Sequence, residues 1–193
     1  PIILIQRNLF ILGTDLYQKT LGIFGMGRIG KAVVKRAAGF EMNITYHNRT
    51  RLSRNEEKRL GVRYVSLDNL FRTSDVVSIH SPYTPLTHEI INLKLLNKMK
   101  RTAFLINTAR GKIVNEKDLA IALKRKIIAG AGIDVFQKEP INSKHPITKM
   151  NNVVLMPHSG SATIETRKKM AEIAVKNLQL SLAGKKPIYQ VIV

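Results

Sequence analysis

A glycine-rich turn near the start of the chain has the spacing of a phosphate-binding loop. The GxGxxG segment follows the apolar run Thr20–Phe24 and opens the helical stretch Arg28–Gly39. In this context the first glycine permits a tight turn, the second lets the backbone approach a pyrophosphate, and the third allows close helix–strand packing. Unpaired N–H groups at the start of the helix would bind the phosphates. The candidate contacts are Gly25, Gly27, Arg28, Ile29 and Gly30.

The residues after the second apolar run decide which nicotinamide cofactor fits. Folds that bind NAD usually place Asp or Glu here to accept from the ribose 2′-hydroxyl. This chain has Asn48 at that position, so no carboxylate would repel a 2′-phosphate. Arg49 can pair with such a phosphate and Thr50 can donate a hydroxyl, while Arg51 and Arg54 would strengthen the local field. We predict NADP(H) over NAD(H); the alternative is a solvated basic turn.

Arg110, Glu139 and His158 each follow an apolar run that is typical of a strand. Open α/β sheets bind ligands at the carboxyl ends of their strands. An Arg there can bind a carboxylate bidentately and polarise a neighbouring carbonyl. A His can supply a proton near neutral pH. The local sequence alone favours a solvated Arg and a structural or surface His, and a loop Glu beside Pro140 is the alternative for Glu139.

The segments that must position these residues alternate between strand and helix. Near-continuous apolar strands separated by helices predict an α/β fold of the Rossmann type, a doubly wound parallel sheet covered on both faces. The predicted strands are Thr20–Phe24, Asn43–His47, Val62–Val65, Asp75–His80, Ala103–Asn107, Ile128–Val135 and Val153–Met156. The predicted helices are Arg28–Gly39, Arg54–Leu60, Leu67–Arg72, Asn92–Lys98, Asn115–Lys126 and Ala162–Gly184, the last capped by Ser161 or Thr163.

Five motifs, in order, resemble the D-isomer-specific 2-hydroxyacid dehydrogenases, especially their glyoxylate/hydroxypyruvate reductase branch. They are LGIFGMGRIG (21–30), SDVVSIHSPYTPLT (74–87), LINTARGKIVNEKDL (105–119), AGAGIDVFQKEP (129–140) and NVVLMPHSGSAT (152–163). The resemblance implies an oxidoreductase that transfers a hydride from NADPH to a small 2-keto acid and yields the D-2-hydroxy acid.

The resemblance also implies roles for single residues. Arg110 would anchor and polarise the substrate, His158 would supply the proton, and Glu139 would orient and charge His158. Asp134 would accept from the nicotinamide carboxamide. Further cofactor-lining residues are Ser81, Pro82, Thr108, Ala109, Ser159 and Gly160. The remaining histidines are expected to line the cofactor (His80) or to lie at the surface (His47, His88 and His145).

The resemblance also implies a separate substrate domain, which we expect to be largely absent from this chain. We assign residues 1–19 to the end of a connecting helix or linker, 20–184 to the dinucleotide-binding domain, and 185–193 to a tail that returns toward the absent domain. The chain is expected to bind NADPH, to turn over its substrate weakly, and to form a homodimer. Glyoxylate, hydroxypyruvate and 2-ketogluconate fit equally well.

The formal net charge is +19, from 32 Lys and Arg against 13 Asp and Glu. Such a potential attracts anionic small molecules, and nucleic acid without specificity. A specific nucleic-acid partner is not expected, because there is no long basic tail and the basic clusters hold few aromatic residues. The absence of cysteine excludes disulfides and thiolate metal sites and suits a reducing cytoplasm. No metal-ligand spacing occurs, and the apolar opening is too short and interrupted to span a bilayer.

Two other functions stay open at this point. One is a non-catalytic dinucleotide-sensing module, because some co-repressors resemble this family. The other is charge-driven binding of nucleic acid without sequence specificity.

Overall fold

The structure is a computed structural model and describes residues 13–190. Within them, seven parallel strands form one sheet in the order β3-β2-β1-β4-β5-β6-β7. The strands are β1 (Thr20–Phe24), β2 (Asn43–His47), β3 (Val62–Tyr64), β4 (Val76–Ile79), β5 (Phe104–Asn107), β6 (Gly130–Ile133) and β7 (Val153–Leu155). The predicted doubly wound parallel sheet is confirmed.

The described part of the chain contains six helices. They are α1 (Arg28–Ala37), α2 (Arg54–Leu60), α3 (Leu67–Thr73), α4 (Leu93–Leu96), α5 (Glu116–Lys124) and α6 (Ile164–Leu182). Five of them are preceded by an N-cap residue whose side chain accepts a hydrogen bond from a backbone N–H of the first turn. These caps are Ser53, Ser66, Asn92, Asn115 and Thr163. The N-cap residue of α1 is Gly27, which has no side chain that could cap the helix. Its first N–H groups therefore remain available to a ligand.

Two apolar clusters, one on each face, hold the sheet in place. On one face Val34 and Ala37 of α1 pack with Ile23 and Tyr46 of the strands. On the other face the buried side chains of α3, α4 and α5 pack with those of β4 and β5. Each fully buried Leu or Ile contributes about 1.5–3 kcal/mol relative to an exposed one. The helices therefore cover both faces and leave the strand ends open.

The sheet has its topological switch point between β1 and β4. Leu21 of β1 lies opposite Ile44 of β2 on one side and Val76 of β4 on the other. The chain leaves β1 in one direction along the sheet and later returns to build the other half. Crevices for ligands open at the carboxyl ends of such neighbouring strands.

The described residues form two compact units, one that ends at Met156 and one that begins at Pro157. The second unit contains α6, a helix of 19 residues that begins after its cap Thr163 and ends before Gly184, whose φ is +67°. Glycine is favoured in this left-handed position because it carries no Cβ. Residues 1–12 and 191–193, which belong to the predicted linker and tail, lie outside the described residues, and the predicted domain boundaries stay a prediction.

Most predicted elements are found, and those that shorten do so for local reasons. The predicted helix to Gly39 becomes α1 followed by a short 3-10 turn, and Glu41 then takes a left-handed φ of 52°. The predicted helix to Lys126 ends at Lys124, and Lys126 has a φ of 54°. The strand predicted over Ile128–Val135 is reduced to its four central residues.

Candidate functional site

A cleft of about 410 Å³ opens at the carboxyl ends of β1, β2 and β4. It is lined by Phe24, Gly25, His47, Asn48, Arg49, Thr50, Ser81, Pro82, Thr84, Leu86, Thr87 and Ile90. The cleft thus brings together the glycine turn, the basic turn after β2 and the segment after β4. Its lining combines six of the predicted cofactor residues with residues that the sequence did not single out.

The glycine turn is shaped for a closely approaching ligand. Gly25 has a φ of +101°, and a Cβ there would lie 2.4 Å from the backbone nitrogen of Ser81. A Cβ on Gly27 would meet no atom within 4 Å, so the space above this residue is open. The first turn of α1 carries no acidic residue and no side-chain cap. The turn and the uncapped helix therefore fit a diphosphate.

The other predicted residues of this turn have distinct places. Arg28 and Ile29 are exposed, and Ile29 retains 67% of its accessible surface. Gly30 is buried, and a Cβ there would lie 2.3 Å from the carbonyl oxygen of Gly25. Gly30 therefore serves helix–strand packing, as its place in the motif predicts.

The turn after β2 presents Arg49 and Thr50 to the cleft. Both are exposed, whereas Asn48 is half-buried. The Asn48 side chain accepts from the N–H of Met26 at 3.3 Å and donates to the carbonyl of Thr50 at 2.9 Å. The residue that replaces the expected acidic side chain therefore links the basic turn to the glycine turn.

Arg51 departs from its expected role in the local positive field. Its Nε and Nη2 atoms each lie 2.8 Å from a carboxylate oxygen of Glu57. The sequence did not single out Glu57, which is only 8% exposed. The role of Glu57 was hard to predict from the sequence, because a Glu in a helix rich in charged residues is usually exposed to solvent.

The end of β4 contributes Ser81 and Pro82 to the cleft, next to the half-buried imidazole of His80. The Nε2 atom of His80 lies 2.9 Å from the hydroxyl of Ser78, and its backbone N–H donates to the carbonyl of Phe24. Burial lowers the pKa of His80. A lowered pKa favours the neutral form of this imidazole.

Two of the three histidines expected at the surface are half-buried instead. His47 contacts the rings of Phe24 and Tyr64, and its Nδ1 lies 3.0 Å from the carbonyl of Val65. His145 lies 3.6 Å from Glu116. The expectation is met for His88, which is exposed. His47 and His145 are less exposed than expected because the fold brings distant residues into contact with them, and a local sequence pattern does not reveal such contacts.

Arg110 follows β5 on a turn that a buried asparagine organises. Asn107, 1% exposed, accepts from the N–H of Ala109 and donates to the carbonyl of Arg110, both at 3.1 Å. The Arg110 side chain is exposed and donates to the carbonyl of Ala109 at 2.7 Å. Thr108 is also exposed. The turn therefore presents a guanidinium at the carboxyl edge of the sheet.

The segments after β5 and β6 are packed tightly against each other. A Cβ on Gly111 would lie 1.9 Å from the carbonyl carbon of Phe136, so this contact requires glycine. Gln137 joins the segments further, because its Nε2 donates to Glu89 and to the carbonyl of Val114, each at 2.9 Å. The sequence did not single out this network. These contacts fix the backbone segments that carry Arg110 and Glu139.

Asp134 and Glu139 lie on the segment that follows β6. Asp134 is 5% exposed, and its backbone N–H donates to Asn107 at 2.9 Å. Glu139 is exposed, and its Oε1 accepts from the N–H of Phe136 at 3.0 Å. Both residues take part in further interactions.

His158, Ser159 and Gly160 lie at the start of the second unit, before α6. His158 is exposed and has a φ of 55°, an uncommon conformation for a residue with a Cβ. All three residues take part in interactions with other groups. Unusual backbone conformations of this kind are concentrated at functional sites.

Neither metal chemistry nor a membrane span has support in residues 13–190. They contain no group of three or more His, Cys, Asp or Glu side chains that could hold a metal ion. No helix among them combines the length and the apolar character needed to cross a bilayer.

Comparison with known proteins finds a matching family and similar relatives. Residues 5–160 match the D-isomer specific 2-hydroxyacid dehydrogenase, NAD binding domain. A glyoxylate reductase of Korarchaeum cryptofilum is 51% identical over 179 residues, which are 93% of this chain and 54% of the relative. The chain thus spans about half the length of the curated relatives it matches.

Two solved structures share the fold. The TT0316 protein of Thermus thermophilus has a TM-score of 0.90 and 45% identity, over 97% of this chain and 58% of that protein. A glyoxylate reductase from Paecilomyes thermophila has a TM-score of 0.86 and 40% identity, over 94% of this chain and 54% of that protein. The described fold is therefore the one that these proteins use for about half of their length.

Proposed function

This chain belongs to the D-isomer specific 2-hydroxyacid dehydrogenase family, and on that premise we propose that it is the cofactor-binding part of an NADPH-dependent 2-keto acid reductase. The substrate would be a small 2-keto acid such as glyoxylate or hydroxypyruvate, and the product the D-2-hydroxy acid. Relatives about 50% identical to this chain carry the name glyoxylate reductase, which supports the substrate class.

The observation that carries the proposal is the cleft at the switch point of the sheet. Gly25 and the exposed Arg49 and Thr50 line it. The uncapped start of α1 and the open space above Gly27 follow Gly25 directly in the chain. The side chain at the usual acidic position is that of Asn48. A bound dinucleotide would supply the hydride, and the 2′-phosphate of NADPH would lie where a carboxylate would otherwise repel it.

The chain's own residues would supply binding and proton transfer. Arg110 would bind the substrate carboxylate and polarise the carbonyl that is reduced. His158 would donate a proton to the developing alkoxide, and Glu139 would favour the protonated, correctly oriented imidazole. Asp134 would accept from the nicotinamide carboxamide, while Thr108, Ala109, Ser159 and Gly160 would line the cofactor.

Replacement of His158 by Gln tests the proposed enzyme against a dinucleotide sensor. In the complete enzyme the variant should lose most of its reduction of glyoxylate or hydroxypyruvate and keep its NADPH affinity. A sensor would keep its partner binding and show no reduction to lose. Unchanged turnover in His158→Gln would remove the proton-donor role. A homodimer in a cytoplasmic setting completes the proposal, and sedimentation of the full chain would test the dimer.

A further inference from the structure

The basic turn after β2 is held from both ends by side-chain hydrogen bonds. At its start, Asn48 accepts from the N–H of Met26 and donates to the carbonyl of Thr50. At its end, the hydroxyl of Tyr46 accepts from the N–H of Leu52 at 2.9 Å. Arg49 and Thr50, which lie between these anchors, line the cleft.

Glu57 of α2 holds the second anchor. Its Oε1 accepts from the hydroxyl of Tyr46 at 2.7 Å and from Nε of Arg51 at 2.8 Å. Its Oε2 accepts from Nη2 of Arg51 at 2.8 Å. Tyr46 is fully buried and Glu57 nearly so. One carboxylate therefore fixes two side chains, and through them the backbone at Leu52.

The Arg51 side chain is held by contacts with Glu57 and Tyr64. Its guanidinium pairs bidentately with Glu57 and lies 5.3 Å from the centre of the Tyr64 ring. Among the described residues that line the cleft, Arg49 is present and Arg51 is absent. A bidentate pair adds geometric specificity as well as energy, so it orients the Arg51 side chain toward Glu57.

We infer that Glu57 is a specificity-determining positioning residue, which holds Arg51 and Tyr46 so that Arg49 and Thr50 are presented to a 2′-phosphate. Arg51 supports the turn and does not bind the phosphate. The inference rests on the proposed preference for NADP(H). Prior ordering of a binding loop raises affinity because the ordering cost is not met on binding.

If Arg51 instead binds the phosphate, Glu57→Gln should change the affinity for the 2′-phosphate in the opposite direction. If Arg51 bound the phosphate directly, Glu57 would compete for it, and Glu57→Gln would strengthen binding of the 2′-phosphate. If Glu57 positions the turn, Glu57→Gln weakens that binding. Loss of one negative charge near the cleft also favours anions in general, so a charge-matched control is needed.

Glu56, the neighbouring residue on α2, provides that control. Its carboxylate pairs with Lys31 at 2.6 Å and with Arg59 at 3.6 Å, both of which lie outside the turn. Glu56→Gln removes the same charge from the adjacent position. Calorimetry on the full chain would compare adenosine 2′,5′-bisphosphate with 5′-AMP, two probes that differ in the 2′-phosphate. We expect the preference for the bisphosphate to be roughly three- to tenfold lower in Glu57→Gln than in Glu56→Gln.

Tyr46→Phe supplies a second route to the same answer if Glu57→Gln does not fold. It removes the hydroxyl that joins Glu57 to the N–H of Leu52, and it leaves every charge and the Arg51–Glu57 pair in place. The preference for the bisphosphate should fall in Tyr46→Phe if the turn is positioned in this way, and should stay at the wild-type value if Arg51 binds the phosphate directly. Equal preferences in Glu57→Gln and Glu56→Gln, or a stronger one in Glu57→Gln, would overturn the inference and leave the proposed function standing. A wild-type chain without preference for the bisphosphate would overturn both the inference and the proposed NADP(H) specificity.

Discussion

Arg49 lies exposed at the cleft, where it can pair with a 2′-phosphate. Removal of a hydrogen-bonded partner of a charged group costs about 1.5–3 kcal/mol, which corresponds to about 10- to 150-fold in affinity. We therefore expect Arg49→Ala to weaken NADPH binding by about that factor and NADH binding by much less. Fluorescence titration with both cofactors measures the difference. Equal losses for NADPH and NADH would show that Arg49 does not recognise the 2′-phosphate.

Substitutions at Gly27 and Gly111 should affect different properties, the first NADPH binding and the second the stability of the fold. A Cβ on Gly27 meets open space, whereas a Cβ on Gly111 would lie 1.9 Å from the backbone of Phe136. Gly27→Ala should keep the wild-type Tm and lose NADPH affinity, because the pyrophosphate approaches this backbone. Gly111→Ala should be destabilised by about 1–3 kcal/mol or more, since the clash forces a backbone shift. Thermal melting and NADPH titration of both variants check the pair; a destabilised Gly27→Ala with intact NADPH affinity would contradict it.

The secondary structure could be predicted because local patterns decide it. Buried apolar runs such as Thr20–Phe24 and Asn43–His47 form strands with the predicted bounds. Ser, Asn and Thr caps begin most of the helices, in agreement with their general preference for this position. The ends of elements were less accurate where a single residue such as Lys126 takes a left-handed conformation.

The supporting contacts of the site could not be read from the sequence in the same way. Glu57 with Arg51, and Gln137 with Glu89, are contacts that only the packed elements create. Their residues are charged or amide side chains, for which exposure to solvent is the usual expectation. The glycine turn and the charged residues after the strands could be singled out from the sequence, because strand ends are where such sheets bind ligands.

Helix α2 is held to β2 by an interaction that depends on pH. Hydrogen bonds from Arg51, and then from Tyr46, lower the pKa of Glu57 to about 2 from the ordinary value of 4.5. A carboxyl group whose pKa is lowered by folding stabilises the folded state above its unfolded pKa, and this contribution is lost as the pH falls. The free energy of unfolding of the wild type should therefore decline between about pH 4.5 and pH 2. Urea unfolding of wild type and Glu57→Gln measures this, and the variant should decline less steeply over that range.

The net charge of +19 acts on the molecule as a whole. A strongly positive surface attracts anions at long range, and salt screens the attraction within about 8 Å at physiological ionic strength. The 2′-phosphate gives NADPH about two more negative charges than NADH near neutral pH. The affinity for NADPH should consequently fall more steeply with salt than that for NADH, as titrations at several salt concentrations would show. Parallel salt dependences would mean that the surface charge has no part in choosing the cofactor.

The chain spans about half the length of its curated relatives, and this bears on turnover. Hydride transfer needs a substrate held in near-attack geometry with water excluded, and both conditions depend on a closed cleft. We predict that this chain alone binds NADPH but reduces glyoxylate or hydroxypyruvate far more slowly than a full-length relative. Steady-state assays on both proteins would measure the difference, with NADPH titration as the control for a folded chain. A rate equal to that of the full-length relative would mean that the residues present here suffice to hold the substrate, and that closure by a second domain is not required for the chemistry.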